Sequence, residues 1–138
     1  MTKLIVDAST AAAWLLASQT TSSAVNLLDR ISTYTPIAPH VFQWEVGNLL
    51  VRQTRRAPGF DLREAFAVLD SFGIAVAAAP GQAEIRSLAG MAAARGLSLF
   101  DASYLWLTMA VGGTLASRDG DLLDAAAAAG LPVLDLRD

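Results

Sequence analysis

Leu4-Ile5-Val6-Asp7-Ala8-Ser9-Thr10 decides the fold. Three apolar residues are too few for a helix and read as a buried strand. Ser9 or Thr10, directly after them, suits the cap of a helix carrying Trp14, Leu15 and Leu16. The same alternation repeats outward along the chain. A second helix is expected from Thr20 or Ser22, with Val25, Leu28 and Ile31 at helical spacing. Thr35-Pro36-Ile37-Ala38 reads as a short strand whose proline favours a sheet edge. Pro39 then suits the first turn of a long helix to Arg56, with Val41, Glu45, Asn48, Leu49 and Arg52 on one side. Pro58-Gly59 ends it, and Asp61 opens a helix with the stripe Leu62, Ala65, Phe66 and Leu69. Ile74-Ala75-Val76 reads as a third strand. Pro80-Gly81 starts a helix that runs to Arg95 and stops at Gly96. Asp101 lies at the start of the next helix, followed by Leu105, Thr108 and Met109. Gly112-Gly113 leads into the strand Thr114-Leu115-Ala116. Asp119 precedes an Ala-rich helix, Leu122 to Ala129, and Pro132-Val133-Leu134 is the last strand. Strands separated by helices specify an α/β layered fold with a mainly parallel sheet.

At 138 residues the chain fits one domain, 1–138, and is long enough to bury a sizeable core. With 54% hydrophobic residues and no cysteine, it is neither a disordered protein nor a disulfide scaffold. Thiolate zinc sites and cysteine nucleophiles are excluded as well. The single histidine, His40, rules out a two-histidine metal site, so any chemistry must rest mainly on carboxylates and hydroxyls. A net charge of −3 does not mark a nucleic-acid binder, although nine of the ten basic residues are Arg, which suits bidentate phosphate contacts. Asp7 interrupts the N-terminal apolar stretch too early for a signal peptide. No run of about 20 apolar residues spans a bilayer. The expected location is cytoplasmic, with no membrane partner.

Ligands of parallel α/β sheets bind outside the carboxyl ends of the strands, which directs attention to the acids found there. Asp7 directly follows the first strand, and Asp119 lies three residues after Ala116. If those strands are neighbours, the two carboxylates share a crevice. Asp101 sits where a loop enters a helix, and Glu45 lies in a helix among Trp44, Val46, Leu49 and Leu50. Taken singly, each has a plainer role. Asp119 and Asp101 suit helix caps, Asp7 suits a turn, and Glu45 can face solvent. Together they are harder to explain. At about 4 Å and an effective dielectric near 20, each like-charge pair repels by roughly 4 kcal/mol. A divalent cation relieves that, and all-oxygen ligands select Mg²⁺ or Mn²⁺. Such a site can activate water against a phosphodiester. Ser9 and Ser117, each two residues from an acid, and Asn48, three residues after Glu45, are placed to steady it; Asp121 is a possible fifth acid. Arg52, Arg55 and Arg56 can grip RNA phosphates, or simply complement the negative end of their helix.

At these residues the sequence resembles the PIN-domain ribonucleases, specifically the VapC-type toxins of bacterial type II toxin–antitoxin pairs. The matching segments are Val6-Asp7-Ala8-Ser9 with Trp14, Ala38-Pro39 leading to Glu45-Val46-Gly47-Asn48, and Leu97-Ser98-Leu99-Phe100-Asp101-Ala102-Ser103-Tyr104-Leu105. Leu115-Ala116-Ser117-Arg118-Asp119-Gly120-Asp121-Leu122 and Gly130-Leu131-Pro132-Val133-Leu134 complete the series. Ser117 stands where many members have Thr, which keeps the hydroxyl. The resemblance implies a PIN-like three-layer sandwich, a metal site formed by Asp7, Glu45, Asp101 and Asp119, and Mg²⁺- or Mn²⁺-dependent endoribonuclease activity through a metal-activated water. It also implies a cognate antitoxin and a homodimer. Asp-nucleophile phosphatases and phospho-receiver domains fit poorly, because no Lys follows Lys3. A non-catalytic PIN-like module that binds RNA or a partner is the remaining alternative.

Overall fold

The computed structural model describes residues 1–138. Five strands, β1 (Thr2–Val6), β2 (Tyr34–Ala38), β3 (Ala75–Val76), β4 (Thr114–Ser117) and β5 (Val133–Asp135), form one sheet in the order β3-β2-β1-β4-β5. Every pairing is parallel. Seven α-helices connect them: α1 (Ala8–Leu15), α2 (Ser22–Asp29), α3 (Val41–Arg56), α4 (Leu62–Ser71), α5 (Gln82–Arg95), α6 (Leu99–Val111) and α7 (Gly120–Ala128). Helices α1 to α4 pack on one another, and α6 packs against α5 and α7, so the sheet lies between two helical layers. The α/β class and parallel sheet are those expected from the alternation of short apolar runs with helices, and the three layers are those the family resemblance implies.

The central strand explains why its sequence is continuously apolar. Leu4, Ile5 and Val6 are fully buried because both faces of β1 are covered. Leu115 and Ala116 of β4, Val46 and Leu50 of α3, Leu105 of α6 and Leu122 of α7 complete the same core. Each fully buried Leu, Ile or Val side chain here contributes about 1.5–3 kcal/mol.

Several local details differ from the sequence reading. Asp7, rather than Ser9 or Thr10, is the N-cap of α1, because it is the last extended residue and its carboxylate accepts the Thr10 amide. Ser98 caps α6, which leaves Asp101 in that helix's first turn. α7 starts at Gly120, directly after its cap Asp119. Pro36 does not mark an edge strand, since β2 lies between β1 and β3. It is tolerated because β3 pairs only with Ile37 and Ala38, so no strand on that side needs its missing N–H.

The turn from α6 into β4 needs both of its glycines. Gly112 ends α6 in the left-handed region at φ 63°. At Gly113 the constraint is space: a Cβ would stand 2.5 Å from Ile5 Cδ1 and 2.8 Å from the Lys3 carbonyl oxygen. Backbone cannot yield as a flexible side chain can. Gly113→Ala is therefore expected to lower stability by about 1–3 kcal/mol, measurable as an earlier urea midpoint at unchanged slope.

Candidate active site

The strand order creates the site. β1 and β4 are adjacent, and Val6 pairs with Ala116, so Asp7 and Ser117 emerge side by side at the carboxyl end of the sheet. From β1 the chain winds outward through β2 to β3, then returns to the other side of β1 for β4 and β5. The crevice between β1 and β4 is thus the topological switch point, where such sheets bind ligands.

Asp7 is the buried anchor of this crevice, 4% exposed. Its Oδ1 accepts the Thr10 amide at 2.9 Å, and its two oxygens accept the Ser9 hydroxyl at 2.8 and 3.0 Å. Ser117 donates to Oδ2 at 2.5 Å. Thr10 Oγ1 lies 2.9 Å from both Asp7 Oδ1 and the Ala116 carbonyl oxygen. Burial raises the Asp7 pKa, and the hydrogen bonds from Ser117, Thr10 and Ser9 only partly offset that.

Three further acids face the same crevice from different elements. Glu45 projects from α3, and one of its oxygens accepts the Tyr104 hydroxyl at 2.7 Å. Its pKa is raised by burial, and the charges of Asp7 and Asp119 push it the same way. Asp101 is pushed up to about 6, first by burial and then by Asp119, Glu45 and Asp7. Asp119 caps α7 through Oδ1, which accepts the amides of Asp121 at 3.0 Å and Leu122 at 3.4 Å. The capping role suggested by its position is therefore real, and it occupies only one oxygen. Glu45 and Asp101 feel the charges of Asp7 and Asp119, and none of the four is paired with a cation. The chain's one side-chain ion pair, Arg137–Asp135, does not involve them.

The supporting residues divide clearly. Ser9 and Ser117 link the two acid-bearing strand ends, because Ser9 Oγ accepts the Arg118 amide and Ser117 Oγ accepts the Asp119 amide, each at 2.9 Å. Asn48 is exposed, beside Trp44 and Gly47 in a shallow polar depression, and bonds to none of the acids. The Asp121 side chain is also exposed and reaches the site only through its amide. Arg52, Arg55 and Arg56 are exposed on the C-terminal half of α3, the last two in its final turn. By helix rise they stand about 10–17 Å along the axis from Glu45.

Two residues here were given no place in the site by the sequence reading: Thr10, read only as a helix cap, and Tyr104. Each left a signal. Thr10 is polar at the head of an alanine run, three residues after Asp7, and Tyr104 shares a helical face with Asp101 one turn earlier. Arg118, between Ser117 and Asp119, turns away from the acids. Its guanidinium donates to the Gln19 side chain at 2.6 Å and to the Gln19 carbonyl, which fastens the loop after β4 to the 3₁₀ turn Ala17–Gln19.

The donor set fits a hard divalent cation: four carboxylates, mutually repelling, without a cationic partner. Asp101, Glu45 and Asp119 retain oxygens that accept no hydrogen bond from the protein. No three of these acids stand close enough together to hold a metal ion between them. Mg²⁺ does not require three, since it usually keeps several waters and binds through one or two carboxylates.

Beside this crevice runs an apolar groove of about 680 Å³ between the start of α3 and helices α5 and α6. Trp44, Phe100 and Trp106 are large and exposed on it, at 73%, 54% and 45%. Trp44 and Phe100 directly precede Glu45 and Asp101 in sequence.

Comparison with known proteins agrees with this fold. The structure resembles PAE2754 from Pyrobaculum aerophilum at a TM-score of 0.69 and 22% identity, covering 96% of this chain and 90% of that one. It also resembles FitAcB from Neisseria gonorrhoeae at a TM-score of 0.60 and 14% identity, covering 96% of each chain. At such identities these likenesses establish the fold alone. No curated protein matches the sequence. The PIN-domain family model matches residues 4–128, a span that begins in β1, ends with α7 and holds all four acids. The chain therefore belongs to the PIN-domain family, whose members are generally nucleases.

Proposed function

We propose that this chain, as one domain, is a Mg²⁺- or Mn²⁺-dependent endoribonuclease and the VapC-type toxin of a type II toxin–antitoxin pair. The observation that carries the reading is the convergence of Asp7, Glu45, Asp101 and Asp119 at the switch point with no cation to balance them. A bound divalent ion supplies an acidified water and neutralises charge on the scissile phosphate.

The chain's own residues divide the remaining work. Asp7 is the fixed ligand, because hydroxyls and an amide hold both of its oxygens in place. Asp119 is set relative to Asp7 through Ser117, with Oδ1 engaged in the helix cap. Glu45 and Asp101 are half-buried at the open side, Glu45 completing the ion's ligands or orienting water. Asp101, its pKa pushed up to about 6, takes up a proton as pH falls toward that value in the absence of the ion. Arg52, Arg55 and Arg56 hold RNA phosphates along α3, away from the acids. Ser9 keeps the two strand ends in register, while Asn48 and Asp121 line the approach.

Two partners follow from the same reading. A cognate antitoxin covers the acidic crevice, and a second copy of the chain packs on the apolar groove. Contiguous exposed aromatics of this size mark association surfaces. Trp106→Glu is expected to turn a dimer into a monomer by light scattering; an unchanged mass would remove the groove from the interface.

The test of function is cleavage of end-labelled total RNA by antitoxin-free protein in Mn²⁺, Mg²⁺ or EDTA. Discrete, metal-dependent products with 3′-hydroxyl ends support the reading. A 2′,3′-cyclic phosphate end excludes hydrolysis by an activated water. No cleavage by folded, metal-supplied protein leaves a PIN-like binding module.

A further inference from the structure

We propose that Tyr104 is a positioning residue for Glu45, holding it against the other acids from across the fold. The inference rests on the reading of Glu45 as part of the metal-holding site. Glu45 belongs to α3, which packs in the layer of α1 and α4, whereas Tyr104 belongs to α6, which packs in the layer of α5 and α7. Their hydrogen bond, 2.7 Å long and spanning 59 positions of sequence, joins the two layers above the carboxyl end of the sheet.

Three observations give the bond its direction. The phenol ring is 1% exposed within the core, so its position is fixed by packing and it cannot touch RNA. The hydroxyl takes Glu45 Oε1 and leaves Oε2 without a protein partner. Asp7 and Asp119 both raise the Glu45 pKa by their charge, so the bond holds the carboxylate within reach of theirs despite the repulsion. A glutamate has three rotatable side-chain bonds, and ordering it costs conformational entropy. With that repulsion added, an untethered Glu45 swings to solvent. The tether orders the carboxylate before any ion arrives. Tyr104 also lies one turn from Asp101, so α6 places one acid itself and a second through its phenol.

The experiment is a double-mutant cycle on the full chain with Tyr104→Phe and Glu45→Ala. Mn²⁺ affinity would be read on RNA-free protein by electron paramagnetic resonance, and cleavage on end-labelled RNA. Tyr104→Phe keeps the packed ring and removes only the hydroxyl. It should weaken Mn²⁺ binding and kcat by about 10–100-fold, the usual effect of losing a group that orients a metal ligand. KM for RNA should stay within about twofold, because the residue does not reach substrate. In the Glu45→Ala background, Tyr104→Phe should cause no further loss. Independent, multiplicative losses, or a Tyr104→Phe protein that binds Mn²⁺ like the parent, would overturn the inference. If Glu45→Ala itself leaves Mn²⁺ binding and cleavage intact, the assignment of Glu45 fails first and takes the inference with it.

Should Tyr104→Phe melt below the assay temperature, fluorotyrosine labelling decides. The chain has two tyrosines, so Tyr34→Phe leaves only the Tyr104 ¹⁹F resonance. Glu45→Ala should move that resonance, and a signal indifferent to Glu45 would overturn the tether.

Discussion

Asp7→Asn is expected to lower metal-dependent RNA cleavage by more than about 100-fold, while its melting temperature stays at or above the parent's. The first effect follows from place. Residues that merely orient a metal ligand cost about 10–100-fold when lost, and Asp7 is the carboxylate they orient. Ser9, Thr10 and Ser117 all bond to it. The second effect follows from charge. Burial disfavours the ionised Asp7, whose pKa is raised despite its hydrogen bonds, and no cation compensates. Asparagine retains a side-chain oxygen that can accept the Thr10 amide and cap α1. Its amide can donate to the serine hydroxyls, which also accept. Cleavage assays beside thermal melts separate the two effects. A variant cleaving within tenfold of the parent would remove Asp7 from the machinery. One that cannot fold would show that the carboxylate's charge is structural.

Metal-free protein should lose stability as pH rises from about 4 to about 7, and Asp101→Asn should remove part of that loss. The sign follows from proton binding. Asp101 has an ordinary value of 3.8 and a folded-state value of about 6, so the folded chain holds its proton more tightly. That contribution is complete below 3.8 and disappears as pH rises through about 6. Asp7 and Glu45, also raised, act in the same direction. Asp135 and Asp138, whose values are lowered, act oppositely but below the ordinary 3.8, outside this window. The full Asp101 displacement corresponds to about 3 kcal/mol. Its partial exposure leaves about 1 kcal/mol after solvent screening, or roughly 3–5 °C in Tm. Asp101→Asn should therefore melt higher than the parent at pH 7 and equally at pH 4. Mg²⁺ at about 100 times its Kd should stabilise the parent by about 2.7 kcal/mol, and Asp101→Asn by less at the same concentration. Parent stability that rises with pH across this window, or a melt indifferent to Mg²⁺, would contradict the uncompensated-acid account.

Both predictions depend on residues that the sequence located without showing their arrangement. The candidate acids were visible because each interrupts an apolar context: Asp7 ends a strand, Asp101 and Asp119 open helices, and Glu45 stands in a semi-apolar helix. Whether Asp7 and Asp119 share a crevice depended on β1 and β4 being neighbours, and only the sheet order answered that. Asn48 shows the opposite limit. Spacing puts it on the Glu45 side of α3, yet it lies in the open depression beside Trp44 and makes no bond to the acids. A helical interval of three fixes a general direction, not the depth to which a neighbouring element buries each side chain.

The sequence by itself determined the strand–helix alternation and the α/β class, because both arise from interactions within a few residues. Chain stiffness, side-chain periodicity and amide capping all act over three or four positions. It also determined the chemistry available: carboxylates and hydroxyls, with one histidine and no cysteine. Tertiary structure decided why Pro36 fits inside the sheet and how Asp7 is held by hydroxyls up to 110 positions away. It alone joined Tyr104 to Glu45. Such pairings are set by strand order and by the meeting of two helical layers, and contacts so distant in sequence leave no periodic trace in it.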